Sequence, residues 1–481
     1  MPGRSIRSST GPGRSAWPFL VAPTVALVLL TSACSPPEAP TPTGPATGAA
    51  STGPARVVLL PDTSAGAQLR WLLAAMAHLP VSGGQLTAHF DAAFLAQVDP
   101  AVLNQELQDV NGAELLSIQV SELNTVVAIV SAGAALARAQ IWLAVDSRGL
   151  ISWLRISPAA TGPTLATWAG IDAALRSVAP QVRLLVADVT DGSCQPVHSI
   201  DPGTAAPIGA AFKLYVLDAL GKAAASGAIR WNQLLTVTAQ LKSLPAGQLQ
   251  NEPDGTEVSV LDTAAAMMSL SDNTATDMLI NLVGRSAVEA SLTTTGMASP
   301  ALDRPLLTTR EIFVLKLQQW PTLAQRYVAA DEPSRRALLA STIDRVPLPA
   351  VAAAGAWTAP RDINSLEYFA SASDLCRAYV SLAALARQPG LAPIGQVLSL
   401  NDDSLALDPT EWKTTWFKGG SEPGVLALAY LATTQTGHSY VVTALAEDPS
   451  KAIDETIATP IMLSVIKGAF TLAARQTSGS P

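Results

Sequence analysis

Residues Pro207 to Leu220 read PIGAAFKLYVLDAL, apolar on nearly every side of a helix. A helix without a solvent face must be buried in a large core. Lys213, in its first turn, is the informative residue of that run. An ammonium taken out of water is costly unless it is paired, so this lysine is either matched to a partner or led out to the surface along its stem. Desolvation also lowers the amine's pKa and can turn it into a base. The chain has room for such a core: 481 residues allow two or three domains, and 48% hydrophobic against 14% charged residues excludes a mainly disordered chain.

The charge balance narrows the partners. Thirty Lys and Arg against 38 Asp and Glu give −8, with the basic residues scattered, which argues against a nucleic-acid binder. Three cysteines, Cys34, Cys194 and Cys376, are too few for a disulfide framework and lack zinc-site spacing. The four histidines, His78, His89, His198 and His438, lie far apart along the chain. Neither a metal nor a cofactor is expected.

The first 33 residues read as a secretory leader: Arg4, Arg7 and Arg14 without an acid, an apolar run from Ala16 to Leu30, then small residues. That run is shorter than the ~20 residues a membrane-spanning helix needs. Leu30-Thr31-Ser32-Ala33-Cys34 resembles the lipobox of bacterial lipoproteins, with Thr31 standing where leucine is usual. The resemblance implies lipidation of Cys34 and attachment to the outer face of a membrane; plain secretion is the other reading. Ser35 to Arg56 holds six prolines, three glycines and two charges, and reads as a flexible tether over 34–56.

A small α+β unit is expected over 57–165. Ala65–His78 carries Leu69, Leu72, Leu73 and Met76 on one helical face, and a second helical region over Gly84–Val110 breaks at Pro100. Strand patterns follow at Leu115–Val120, Thr125–Ser131, Ala137–Val145 and Leu150–Ile156, with a hairpin loop at Asp146–Gly149. Helices before an antiparallel sheet suggest a cone of the ketosteroid-isomerase or cystatin kind. Its acids Asp91, Glu106 and Glu122 read as surface charges, so the unit reads as a docking or scaffolding module.

The chemistry lies further on. Strands are expected at Gln181–Thr190 and Pro196–Ile200, ahead of the Lys213 helix. A helix over Ser259–Leu270, capped by Ser259, ends in Ser271-Asp272-Asn273, and another runs to Gly284. Lys418-Gly419-Gly420-Ser421 precedes strands Val425–Thr433 and Tyr440–Leu445 and a final helix from Asp454 to Arg475. Residues 178–476 in this order resemble the serine β-lactamase and penicillin-binding-protein superfamily, whose signature is S-x-x-K, S-D-N and K-T-G. An insertion is expected within 300–360. The pairing with a cone-like unit resembles the two-domain hydrolase-like proteins of actinobacteria. The resemblance implies an α+β domain, an antiparallel sheet flanked by helices plus an all-helical subdomain, and acyl-enzyme hydrolysis of an amide or ester.

The departures are as informative. The nucleophile position, three before Lys213, is Ala210, whose methyl cannot attack a carbonyl. The K-T-G threonine is replaced by Gly419, with Gly420 and Ser421 following. No E-x-x-L-N is present, and Glu367 is the one stand-in for a deacylating acid. What the resemblance then implies is a pocket for an anionic β-lactam-like, peptide or ester compound. Lys213 and Lys418 supply charge, Ser271 and Asn273 hydrogen bonds, Ala210 and Ser421 backbone N–H groups, and Gly420 and Ser421 contact substrate; Asp272 holds its loop. Two readings stand: a serine hydrolase impaired at Ala210, or a pseudo-enzyme that binds without covalent chemistry. Cys194 and Cys376 are either bridged or buried free thiols.

Overall fold

The computed structural model describes residues 58–478 except 109, 122–123, 132–137, 147, 159–161, 245, 248, 319, 350–352, 354–356 and 404. The leader, Cys34, the tether and Glu122 lie outside the described residues.

In the small unit, Leu115–Ser121, Thr125–Ser131, Arg138–Val145 and Ile151–Pro158 pair in chain order as an antiparallel meander. Successive strand residues face opposite sides. Ala139, Ile141, Leu143 and Val145 therefore pack together, against Leu69, Leu72 and Met76 of the helix Ser64–Met76. Gln140 and Trp142 take the other face. Thr125–Ser131 is buried at all five interior positions, so this sheet is covered on both sides. The 84–110 region forms three short helices, Gly83–His89, Ala92–Gln97 and Pro100–Gln108. Asp91 is not a free surface charge: its Oδ1 accepts from the Phe94 N–H at 2.6 Å and caps the second of them. Glu106 is exposed.

The larger domain is built on a five-stranded antiparallel sheet, in the order Trp412–Glu422, Val425–Thr434, Ser439–Glu447, Gln181–Asp188, Gln195–Ile200. Its central strands are apolar throughout because both faces are covered. Leu184, Val186 and Val442 pack on the helices Trp168–Arg176 and Glu455–Ser478. Leu185, Ala187 and Val441 pack on Lys213–Ala225 and Ala372–Ala386. A helical region beyond them includes Val260–Ser269, Asn273–Val283 and Arg285–Thr294. The 300–360 segment adds Thr309–Phe313, Thr322–Val328 and Glu332–Ser341. Cys194 and Cys376 form a disulfide between the start of the edge strand and the helix Ala372–Ala386.

The stretch Pro207–Leu220 is not one helix. Ala206–Pro207 pairs with Phe369–Ala370, a 3₁₀ turn covers Gly209–Phe212, and the α-helix begins at Lys213. Gly209 sits at φ +49°, outside the right-handed helical region, so the apolar pattern continues where the helix cannot. Lys213 does not reach the surface; it is 0% exposed.

Candidate active site

Three distant pieces of chain meet at Ser271. Its Oγ lies 3.1 Å from Lys213 Nζ and 3.1 Å from Lys418 Nζ. Lys213 Nζ also donates to the Ser271 carbonyl at 2.5 Å and to Asn273 Oδ1 at 2.8 Å. Lys418 Nζ donates to the Gly419 carbonyl at 2.6 Å. The buried lysine is thus the paired kind, matched by the Ser-Asp-Asn turn.

That turn is held tightly. Asp272 Oδ1 caps the helix Asn273–Val283 by accepting from the Ala275 N–H at 2.8 Å, and Oδ2 accepts from the Leu249 N–H at 2.9 Å. Asn273 Nδ2 donates to the Leu244 carbonyl at 3.1 Å. Ser271 itself adopts φ +55°, a left-handed conformation that a serine takes only when its surroundings impose it.

Electrostatics follow from burial. Desolvation, then the neighbouring Lys418 charge, hold Lys213 well below the usual lysine range, against the opposing pull of Asp272 and Asp277. Desolvation brings Lys418 down to about 7, opposed by Asp403. Two buried ammonium groups on one hydroxyl repel each other, so their protons come off as a pair property rather than singly.

The strand carrying Lys418 reaches the turn around Ala210 because Gly420 has no side chain. A Cβ there would lie 2.3 Å from both the Ala210 nitrogen and the Ile208 carbonyl oxygen. A Cβ on Gly209 would lie 3.0 Å from the Ser421 nitrogen. The backbone at 209–210 is thereby brought against the backbone at 420–421 beside the Ala210 methyl, where an oxyanion site would need its two N–H groups. Since backbone atoms on both sides cannot yield, Gly420→Ala is expected to force the strand off this turn. It should lower the thermal midpoint, read by thermal unfolding of the variant beside the parent chain.

A cavity of about 470 Å³ opens here, lined by Ala210, Ser271, Asn273, Lys418, Gly420 and Ser421. Lys213 does not line it; it stands behind Ser271 and Asn273 and acts through them. Ser421 does not offer a free hydroxyl, because it bonds to Glu455 at the start of the final helix. Glu455 also lines the cavity, and desolvation brings its carboxyl up to about 7.

Glu367 lines the cavity too, but its carboxylate is committed. Lys316 Nζ lies 2.9 Å from Glu367 Oε2 and 2.5 and 2.6 Å from the two oxygens of Glu422. Desolvation, then Glu367, push the Glu422 carboxyl well above its usual range. Glu367 is held low, desolvation being outweighed by Lys316 and by hydrogen bonds from Glu422 and the Tyr368 N–H. The cluster is neutral when Glu422 keeps its proton. Sequence reading missed Lys316 and Glu422. The signal was there: Lys316 is a lone cation in the apolar run Val314–Leu317, the same anomaly that marks Lys213.

The far wall of the cavity comes from the small unit. Ile118, Ser121, Val127, Gln140 and Trp142 line it, all but Ser121 and Ile118 from the middle two strands of the meander. The Gly247 N–H donates to the Ser121 carbonyl at 3.3 Å, tying that sheet beside the Ser-Asp-Asn turn. The docking-module expectation is therefore too narrow: this unit completes the pocket. Among the described residues no group of three His, Cys, Asp or Glu side chains could hold a metal ion.

Comparison with known proteins bears on the same regions. Residues 167–346 match the model of the beta-lactamase enzyme family, and residues 60–151 match the model described as ORF 12 gene product N-terminal. Among solved structures, a beta-lactamase from Sphaerobacter thermophilus is 18% identical with a TM-score of 0.45, over 65% of this chain and 98% of that one. PBP-A is 16% identical with a TM-score of 0.43, over 66% and 100%. A beta-lactamase from Chitinophaga pinensis is 14% identical with a TM-score of 0.43, over 64% and 98%. The search of curated proteins finds no match. Residues 167–346 are therefore similar to the beta-lactamase enzyme family, and the larger domain has a mixed α+β fold of the β-lactamase and transpeptidase kind.

Proposed function

We propose that this protein holds a small anionic acyl compound, of β-lactam, peptide or ester type, in the cavity between its two domains, and that the S-x-x-K route to an acyl-enzyme is closed. The observation that carries the reading is the pair of lysines bound to Ser271 beside the Ala210 methyl. The pair supplies positive charge for a carboxylate, the Asn273 side chain and Ser271 supply polar contacts, and position 210 supplies no attacking oxygen. Trp142 and Val127 give the apolar wall that a ligand side chain needs.

The same proposal places the protein outside the cytoplasm, anchored through a lipid on Cys34. The leader, the small residues before Cys34 and the proline-rich tether support it. The Cys194–Cys376 disulfide supports it independently, because such bonds persist in oxidising compartments.

Calorimetric titration with benzylpenicillin tests the binding claim. Saturable, reversible binding is expected, weakened roughly tenfold or more by Lys418→Met, a loss of about 1.4 kcal/mol or greater. Raised salt should weaken it as well, to an extent limited by the depth of the charges. No detectable heat at millimolar ligand, or affinity unchanged in the Lys418 variant, would remove the reading.

A further inference from the structure

We propose that Ser271 is itself a nucleophile in this chain, with Lys418 as its base, and that the site accepts acyl groups from small activated esters or thioesters. This goes beyond ligand binding and does not depend on the ligand being a lactam.

The geometry is that of a serine–lysine pair, in which hydroxyl and amine lie within hydrogen-bond reach. Here one hydroxyl has two such amines at 3.1 Å. They are not equivalent. Lys213 Nζ is committed to three acceptors, the Ser271 carbonyl and Oγ and Asn273 Oδ1. Lys418 Nζ has two partners, the Gly419 carbonyl and Ser271 Oγ. A neutral amine there donates to the carbonyl and keeps its lone pair for the serine proton. Lys418 lines the cavity and Lys213 does not. Burial also favours the neutral amine at Lys418, whose pKa falls to about 7.

Two further features fit a nucleophile. Ser271 lines the cavity, and its φ of +55° presents the side chain from a constrained turn. Strain of that kind gathers where a serine must be offered to substrate.

The step balances as follows. The Ser271 oxygen forms a bond to the acyl carbon while its proton passes to the Lys418 amine. The ammonium then returns that proton to the leaving oxygen or sulfur as the acyl–oxygen or acyl–sulfur bond breaks. The products are an ester on Ser271 and a free alcohol or thiol.

The charged and titratable groups facing the pair are Lys213, Asp272 and Asp277 from the helical side, Asp402 and Asp403 from the preceding loop, and Glu455 from the final helix. Asp403, itself carried up to about 8 by desolvation and by Asp402, pulls Lys418 only part of the way back toward the ammonium form. The labelling rate should rise with pH through about 7, as the amine is freed.

The test is reaction of the full chain with p-nitrophenyl acetate, followed by intact mass and peptide mapping. One acetyl group is expected on Ser271, removable by hydroxylamine because it is an ester. Ser271→Ala should lower the rate of this labelling at least a hundredfold, and Ser271→Cys should restore a single adduct at the same position, which also guards against a variant that merely misfolds. An acetyl group resistant to hydroxylamine and mapped to Lys418 or Lys213 would mean that the amine is the nucleophile, and would overturn the proposal. So would labelling at an unchanged rate in Ser271→Ala, or a rate flat across pH 6 to 8. Failure of penicillin binding with Ser271 still acetylated would sink the proposed ligand class and leave this inference standing.

Discussion

Benzylpenicillin is expected to acylate the Ala210→Ser variant at residue 210, where the parent chain forms no bond to the drug at that position. The nearby Gly209 and Gly420 already bring the backbone at 209–210 against the backbone at 420–421 here, and Lys213 stands three residues on, buried and low in pKa. Only the oxygen is missing. In serine hydrolases the loss of the nucleophile alone costs roughly six orders of magnitude in turnover. Even a thousandth of that range, returned by serine, would be visible as a covalent adduct. The adduct should be long-lived, because Glu367 is spent on Lys316 and Glu422 and cannot turn to a deacylating water. The expected kinetics are therefore one fast equivalent and then little turnover. Intact mass with peptide mapping over 208–213 decides it. A serine variant that stays unlabelled would show that the Gly419 replacement or the changed carboxylate cluster disables the site more deeply than Ala210 does.

Removing Lys316 should have the largest effect on stability. Its Nζ is fully buried between two carboxyl groups, and Trp357 lies over it at 5.3 Å. Breaking a buried ion pair from one side costs about 3–5 kcal/mol, because the partner is left charged and unmatched. Lys316→Met is thus expected to shift urea unfolding by that order. In the parent, Glu367 is held below its ordinary pKa, so its contribution is present above the unfolded value and fades as pH falls through the folded one. In the variant, burial raises the carboxyl pKa values instead. Its deficit should be largest at pH 8 and shrink as pH falls toward the ordinary glutamate value near 4.3, because the raised carboxyls take up their protons above that value. Adding Glu367→Gln and Glu422→Gln should recover most of the loss, since an uncharged cluster no longer needs the ammonium. A deficit independent of pH would mean that Lys316 contributes through packing alone.

Much of the site could be read from residue types out of place. A lysine in an apolar helix, a Ser-Asp-Asn between two apolar helices and a Lys-Gly-Gly before paired strands are each unusual, and each marks a position in the cavity or directly behind it. Strand positions in both domains followed from alternation or from short apolar runs bounded by turns. What could not be read depended on contacts between elements. Gly209 splits the Lys213 helix through its backbone angle, which no hydrophobic pattern records. Asp91 read as a surface charge, and its cap on the Phe94 N–H shows only in the folded backbone. Trp142 and Gln140 look like any outward residues of a half-buried strand. Only the packing of one domain on the other makes them a cavity wall. Glu367 was found as an acid near the right helix, but its partner Lys316 lies 51 residues away in sequence.

That borrowed wall divides labour. Charge and hydrogen bonding come from one folded body, while width and shape on the opposite side come from another. Side chains at 127, 140 and 142 lie outside the hydrogen bonds that hold Ser271, so exchanging them is expected to alter the fit of a guest molecule more than the grip on its polar end.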